Sequence, residues 1–139
     1  MEPQEQITPF EQVGGQPVID RLVDRFYDEM DAQPAAAALR ALHAPDLTEI
    51  RRVLKVYLGE WLGGPRRYSQ ERGHPRLRAR HLPFPIGLAE RDAWLACMHT
   101  ALTQTVADED ARDGIYAAMA RLADFMRNRP GEPAPGQGA

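Results

Sequence analysis

The apolar residues of this chain recur at steps of three and four, and that period constrains the fold more than any other feature. Val18, Ile19, Leu22, Val23, Phe26, Tyr27 and Met30 form one face of an amphipathic helix starting near Pro17, which turns Tyr27 inward. Leu47, Ile50, Val53, Leu54, Tyr57, Leu58, Trp61 and Leu62 repeat the pattern until Gly63-Gly64-Pro65 breaks it. Leu88, Trp94, Leu95, Met98, Leu102 and Val106 carry a further core helix. Ile115, Met119, Leu122, Phe125 and Met126 carry the last one, which starts from Asp108-Glu109-Asp110. No stretch alternates as a half-buried strand does, so the expected class is all-α.

The helix ends are also written in local chemistry. Thr8-Pro9-Phe10-Glu11 has the form of a capping box opening a very short first helix, which Gly14-Gly15 stops. Asp46 and Glu49 suggest a second box after the corner Leu42-His43-Ala44-Pro45. Between Gly63 and Gly87 the chain holds four prolines and no sustained period, which predicts a long ordered loop enclosing one or two helical turns near Pro75–His81. Residues 1–8 are expected to be a flexible lead-in, residues 9–128 the folded domain, and residues 129–139 a disordered tail too poor in apolar groups to fold.

A length of 139 residues with a formal charge of −3 fits one domain. Of the 17 basic residues only Lys55 is a lysine. The arginines are scattered among 20 acids, so no polybasic face points to nucleic acid or a membrane surface. The start MEPQEQITPF has no basic segment followed by an apolar run, and no stretch approaches the roughly 18 apolar residues of a membrane span, so the expected location is the cytoplasm. Cys97 is the single cysteine, which rules out an internal disulfide and any multi-cysteine metal site and leaves histidine as the natural metal ligand. On its helix Cys97 reads as a small buried hydrophobe. His99 reads as a helix-surface residue, and His74 with His81 lacks a third ligand to make a separate metal site.

Several motifs in one order carry a resemblance: Phe26-Tyr27, Trp61-Leu62-Gly63-Gly64-Pro65, Tyr68, Gly73-His74-Pro75, Leu77-Arg78-Ala79-Arg80-His81, Pro83-Phe84 and Glu90-Arg91-Asp92-Ala93-Trp94, with thirteen residues from His81 to Trp94. Over residues 10–128 the chain resembles the group II truncated haemoglobins. That resemblance implies a two-over-two helical sandwich around a b-type haem and accounts for the short first helix, the double-glycine breaks and the long loop. It makes His81 the proximal iron ligand. Tyr27 becomes the tyrosine of the second helix and Trp94 the tryptophan of the penultimate helix, both facing the gas. His43 falls at a corner position that holds an aromatic or histidine. Ile50 takes the place of the distal histidine of full-length globins, with Leu54 one turn later. Tyr68 matches a tyrosine that contacts haem. Val53 stands where many members carry a basic residue, so no propionate contact is expected there.

Without that context His81 would read as a surface histidine among arginines, and Tyr27 and Trp94 as core aromatics. With it, a phenol O–H and an indole N–H become donors to a polarised gas ligand, and His43 a third donor or a pH-sensitive gate. Arg78, Arg80 and Arg52 are the candidate forks for the propionates, and Phe84 lies beside the cofactor. The absence of Cys-x-x-Cys-His predicts non-covalent attachment. The expected function is reversible binding of O2, and of CO and NO, with slow release, by a monomer or homodimer. Two alternatives stay open: a peroxidase-like or NO-dioxygenase enzyme served by an external reductase, and a haem-free helical interaction module.

Overall fold

The structure, a computed structural model, describes residues 7–129, so most of the expected flexible lead-in and disordered tail lies outside the described residues. The elements are helical throughout this range: α1 (Pro9–Val13), α2 (Gln16–Ala32), a 3-10 turn (Pro34–Ala36), α3 (Ala37–Ala41), α4 (Thr48–Trp61), α5 (Arg67–Arg72), α6 (Leu77–His81), α7 (Leu88–Thr105) and α8 (Glu109–Phe125). α2 lies on α7 and also packs on α4, while α8 packs on the other end of the sandwich against α7. Two helix pairs laid on each other are therefore the frame, and α7 is its centre. No described helix is long and apolar enough to cross a membrane.

α2 buries Ile19, Leu22, Val23, Phe26, Tyr27 and Met30, the stripe its apolar period defines, and α7 answers with Leu95, Cys97, Met98, Ala101 and Leu102. The small residues Cys97 and Ala101 let the two helices approach while the larger side chains interdigitate. Thr8 caps α1 as expected: its hydroxyl accepts from the Glu11 N–H at 3.2 Å while the Glu11 carboxylate receives the Thr8 N–H. At the other end, the Arg129 N–H donates to the Ile86 carbonyl at 3.1 Å.

The double glycine after α4 has a packing cause. The Phe10 N–H donates to the Leu62 carbonyl at 2.8 Å, which seats α1 on the end of α4. Gly63 has φ +98°, and a Cβ on Gly64 would sit 2.4 Å from the Phe10 ring and 2.7 Å from the Gly59 carbonyl oxygen.

Three local expectations are corrected. Asp46 accepts the Thr48 N–H at 2.9 Å, but α4 starts after Leu47 without a side-chain cap, and the Glu49 carboxylate is taken by Arg52 at 2.8 Å rather than closing a capping box. The loop holds α5 as well as α6. α5 has no apolar period and is anchored instead by Tyr68, buried edge-on against Tyr57 at 5.3 Å, and by Ser69, whose N–H and hydroxyl both donate to Glu60. Phe125, expected in the core, is 59% exposed.

Gly64→Ala should lower stability by about 1–3 kcal/mol through overpacking against Phe10. Gly114→Ala, inside α8 with nothing within 4 Å of the added Cβ, should raise it by about 0.5–1 kcal/mol. Urea unfolding followed by circular dichroism checks both, and equal effects of the two would contradict the packing account.

Candidate functional site

Phe26 organises one wall of the site. It is fully buried on α2, and its ring touches Tyr27 edge-on at 4.9 Å and Trp94 of α7 at 5.0 Å with a 59° tilt. Tyr27 in turn meets His43 edge-on at 5.9 Å, so four rings from three parts of the chain form one group. Among the described residues neither the Tyr27 hydroxyl nor the Trp94 indole N–H has a hydrogen-bond partner, although Tyr27 is only 3% exposed. Burial pushes the Tyr27 phenol well above its usual range, against a smaller opposing effect of Arg51, so it keeps its proton.

Two histidines use the same orienting device. His81 Nδ1 lies 2.6 Å from the Leu77 carbonyl oxygen, and His43 Nδ1 lies 3.0 Å from the Leu39 carbonyl oxygen, each four residues back. A carbonyl only accepts, so each Nδ1 carries a proton and Nε2 is the nitrogen left to meet a ligand, with its lone pair free in the neutral tautomer. For His81 this is the arrangement a metal-bound imidazole needs, and Leu77 is the partner of its second nitrogen. For His43 it means the free nitrogen accepts rather than donates. Burial lowers the His43 pKa first and the nearby charges of Arg40 and His81 lower it further, while the Leu39 carbonyl opposes them.

Several large apolar side chains are unusually open. Four of the five large hydrophobic residues exposed among the described residues are Ile50 on α4, Leu82 and Phe84 after α6, and Phe125 at the end of α8, with Leu82 at 56% and Phe84 at 41%. α6 buries no side chain at all. Val53, Leu54 and Leu77 are half-buried, and Tyr68 is buried at the α4–α5 junction. Burial, helped by Tyr68 and Glu60, pushes the neighbouring Tyr57 phenol up to about 12. An apolar rim with one imidazole lone pair and two unpartnered donors fits a flat, largely apolar group that carries a metal at its centre.

The candidate arginines are already engaged. Arg52 is held by Glu49 and Glu71 at 2.8 and 2.6 Å, Arg78 donates to the Phe125 and Arg127 carbonyls at 2.6 and 3.1 Å, and Arg80 donates to the Pro75 carbonyl at 2.8 Å. His74 is exposed and accepts the Arg76 N–H, and no group of three metal-ligating side chains occurs among the described residues. His99 lies at the surface beside Tyr116 at 5.4 Å, and burial pushes the fully enclosed Cys97 thiol up to about 11. Two residues escape sequence reasoning. Arg51 sits over the Tyr27 ring at 5.6 Å, held by Asp24 and Asp28, a pair one turn apart on α2 that could have signalled it. Asn128 bonds the main chain around His81 from beyond the last apolar repeat, where no pattern marks it.

Comparison with known proteins accords with this geometry. Residues 8–128 match the family described as bacterial-like globin. The group 2 truncated hemoglobin YjbI of Bacillus subtilis is 39% identical over 121 residues, 87% of this chain and 89% of that one. The group II two-on-two hemoglobin of Agrobacterium tumefaciens superposes with a TM-score of 0.87 at 41% identity, covering 94% of this chain and 100% of that one. The group II truncated hemoglobin of Bacillus anthracis gives 0.86 at 40% identity, covering 95% and 99%. The chain therefore belongs to the bacterial-like globin family and is a group II truncated haemoglobin of the two-on-two fold.

Proposed function

We propose that the chain binds haem b non-covalently through His81 Nε2 and holds O2, and likewise CO and NO, with slow release. Haem, when bound, supplies an iron that takes a diatomic gas and polarises it toward negative charge. The observation that carries the reading is the pair of unpartnered donors, Tyr27 O–H and Trp94 N–H, fixed on either side of the Phe26 ring. Both are ready to donate without first breaking a protein hydrogen bond. The bond from His81 Nδ1 to the Leu77 carbonyl supports the other half, because it orients the ring and leaves Nε2 as the nitrogen for ligation. Ile50, Leu54, Tyr68 and Phe84 would supply apolar contact. Cys97, enclosed in α7, supports non-covalent attachment.

Arg52, Arg78 and Arg80 are weaker propionate partners than their charge suggests, since each would have to leave a bond it already makes. His43 works as an acceptor beside Tyr27, since its lowered pKa keeps it neutral near pH 7 and its proton is committed to Leu39. A neutral His43 leaves the donor work to Tyr27 and Trp94.

Each donor to a polarised ligand contributes about 1.5–3 kcal/mol, which slows release roughly ten- to a hundredfold. Trp94→Phe should therefore raise the O2 dissociation rate at least about tenfold in stopped-flow displacement by CO. An unchanged rate removes Trp94 as a donor. The depressed His43 pKa has a separate consequence for the apoprotein. Below the ordinary value of 6.5 the unfolded chain takes up a proton that folded His43 refuses, so stability present above that pH is lost as the pH falls through it. Urea midpoints between pH 7.5 and 5.0 should show this loss in the wild type and a smaller one in His43→Phe. Parallel pH profiles would contradict it.

A further inference from the structure

α6 is too short to hold itself. It has five residues, opens at Arg76 in the left-handed region at φ +47°, lacks a side-chain cap and buries no side chain. A helix of that length is unstable alone, and here tertiary packing does not supply the missing stability. Yet the segment carries His81, whose usefulness depends on where its Nε2 stands.

What holds the segment is the end of α8. Asn128 Nδ2 donates to the His81 carbonyl at 3.2 Å and to the Phe84 carbonyl at 2.8 Å, while Asn128 Oδ1 accepts the Ile86 N–H at 3.0 Å. The main-chain N–H groups of Asn128 and Arg129 both donate to the Ile86 carbonyl, at 2.9 and 3.1 Å. On the upstream side Arg78 donates to the Phe125 and Arg127 carbonyls and lies over the Phe125 ring at 5.5 Å. The Phe125 carbonyl is one of the last of α8, which has no partner within its own helix. The same bonds thus close a helix end and clamp the segment on both sides of His81.

Asn128 reaches only main-chain atoms of the segment. Leu82 and Phe84 remain exposed while the backbone beside them is held from behind, so the face presented to a cofactor stays free. Asn128 is also particular in its chemistry, since it spends both amide protons and its oxygen on residues 81–86. An aspartate has the same shape and keeps the acceptor, but at neutral pH it offers no proton to the two carbonyls.

We propose that Asn128 is a positioning residue that fixes the His81–Ile86 segment and thereby sets the iron–histidine bond and the retention of haem. The proposal rests on the reading of His81 as the proximal ligand. Its test uses the full chain reconstituted with haemin, as wild type, Asn128→Ala, Asn128→Asp and His81→Gly. Resonance Raman spectroscopy of the ferrous form reads the iron–histidine stretching band, and transfer to excess apomyoglobin reads the rate of haem loss. In both Asn128 variants the band should move to lower frequency and broaden, and transfer should accelerate at least tenfold. Wild-type values in either variant overturn the proposal, because the donated bonds would then not be what holds the ligand. His81→Gly should lose the band and regain one with added imidazole, which keeps the ligand assignment even if the Asn128 variants behave as wild type. An unchanged band in His81→Gly would overturn the assignment and the positioning role together.

Discussion

The crossing of α2 over α7 places the fully buried Phe26 ring between Tyr27 and Trp94, and both the core and the site depend on that contact. Phe26, Leu22 and Met30 supply apolar area to the sandwich, while Tyr27, next to Phe26 on α2, delivers the phenol and Trp94 of α7 delivers the indole. The donors are held by packing rather than by hydrogen bonds. Their polar atoms stay unspent. Arg51 extends the same arrangement, joined to Asp24 and Asp28 on one side and lying over the Tyr27 ring on the other.

The two faces of the site are therefore built on different physics. The Tyr27 and Trp94 side rests on long helices whose apolar stripes interlock, and close-packed side chains leave a ring few alternative positions. The His81 side rests on a five-residue helix with no buried side chain and on polar bonds from the end of α8 to its main chain. Such an edge is open to a flat partner because its apolar residues Leu82 and Phe84 are not consumed by the protein's own core. It is also the part whose order would gain most from a bound group, since ligation and apolar contact would add to a segment that packing leaves weak.

How much of this could be read from residues follows from range. The α2, α4, α7 and α8 helices are legible because burial of one face forces a period of three and four into the sequence. His81, Tyr27 and Trp94 are marked by motifs whose order and spacing few other folds share. α5 is not legible, since it is held by Tyr68 against Tyr57 and by Ser69 on Glu60, contacts between separate segments that leave no period. The roles of Arg52, Arg78 and Arg80 are hidden for the same reason: an arginine is a candidate for any acceptor until the nearest one is known, and here Glu49, Glu71 and free carbonyls come first. Asn128 is the extreme case, a polar residue past the last repeat whose partners lie more than forty positions back.

The central claim is that His81 and the apolar rim around it form a haem site. A titration of the purified apoprotein with haemin, followed in the Soret region and completed by dithionite reduction and CO, tests it most directly, with His81→Ala titrated in parallel. The account predicts saturation at one haem per chain with a sharp CO-shifted band in the wild type, and no stable haem retention in His81→Ala. Failure of the wild type to bind, or full retention with an unchanged spectrum in His81→Ala, would contradict it.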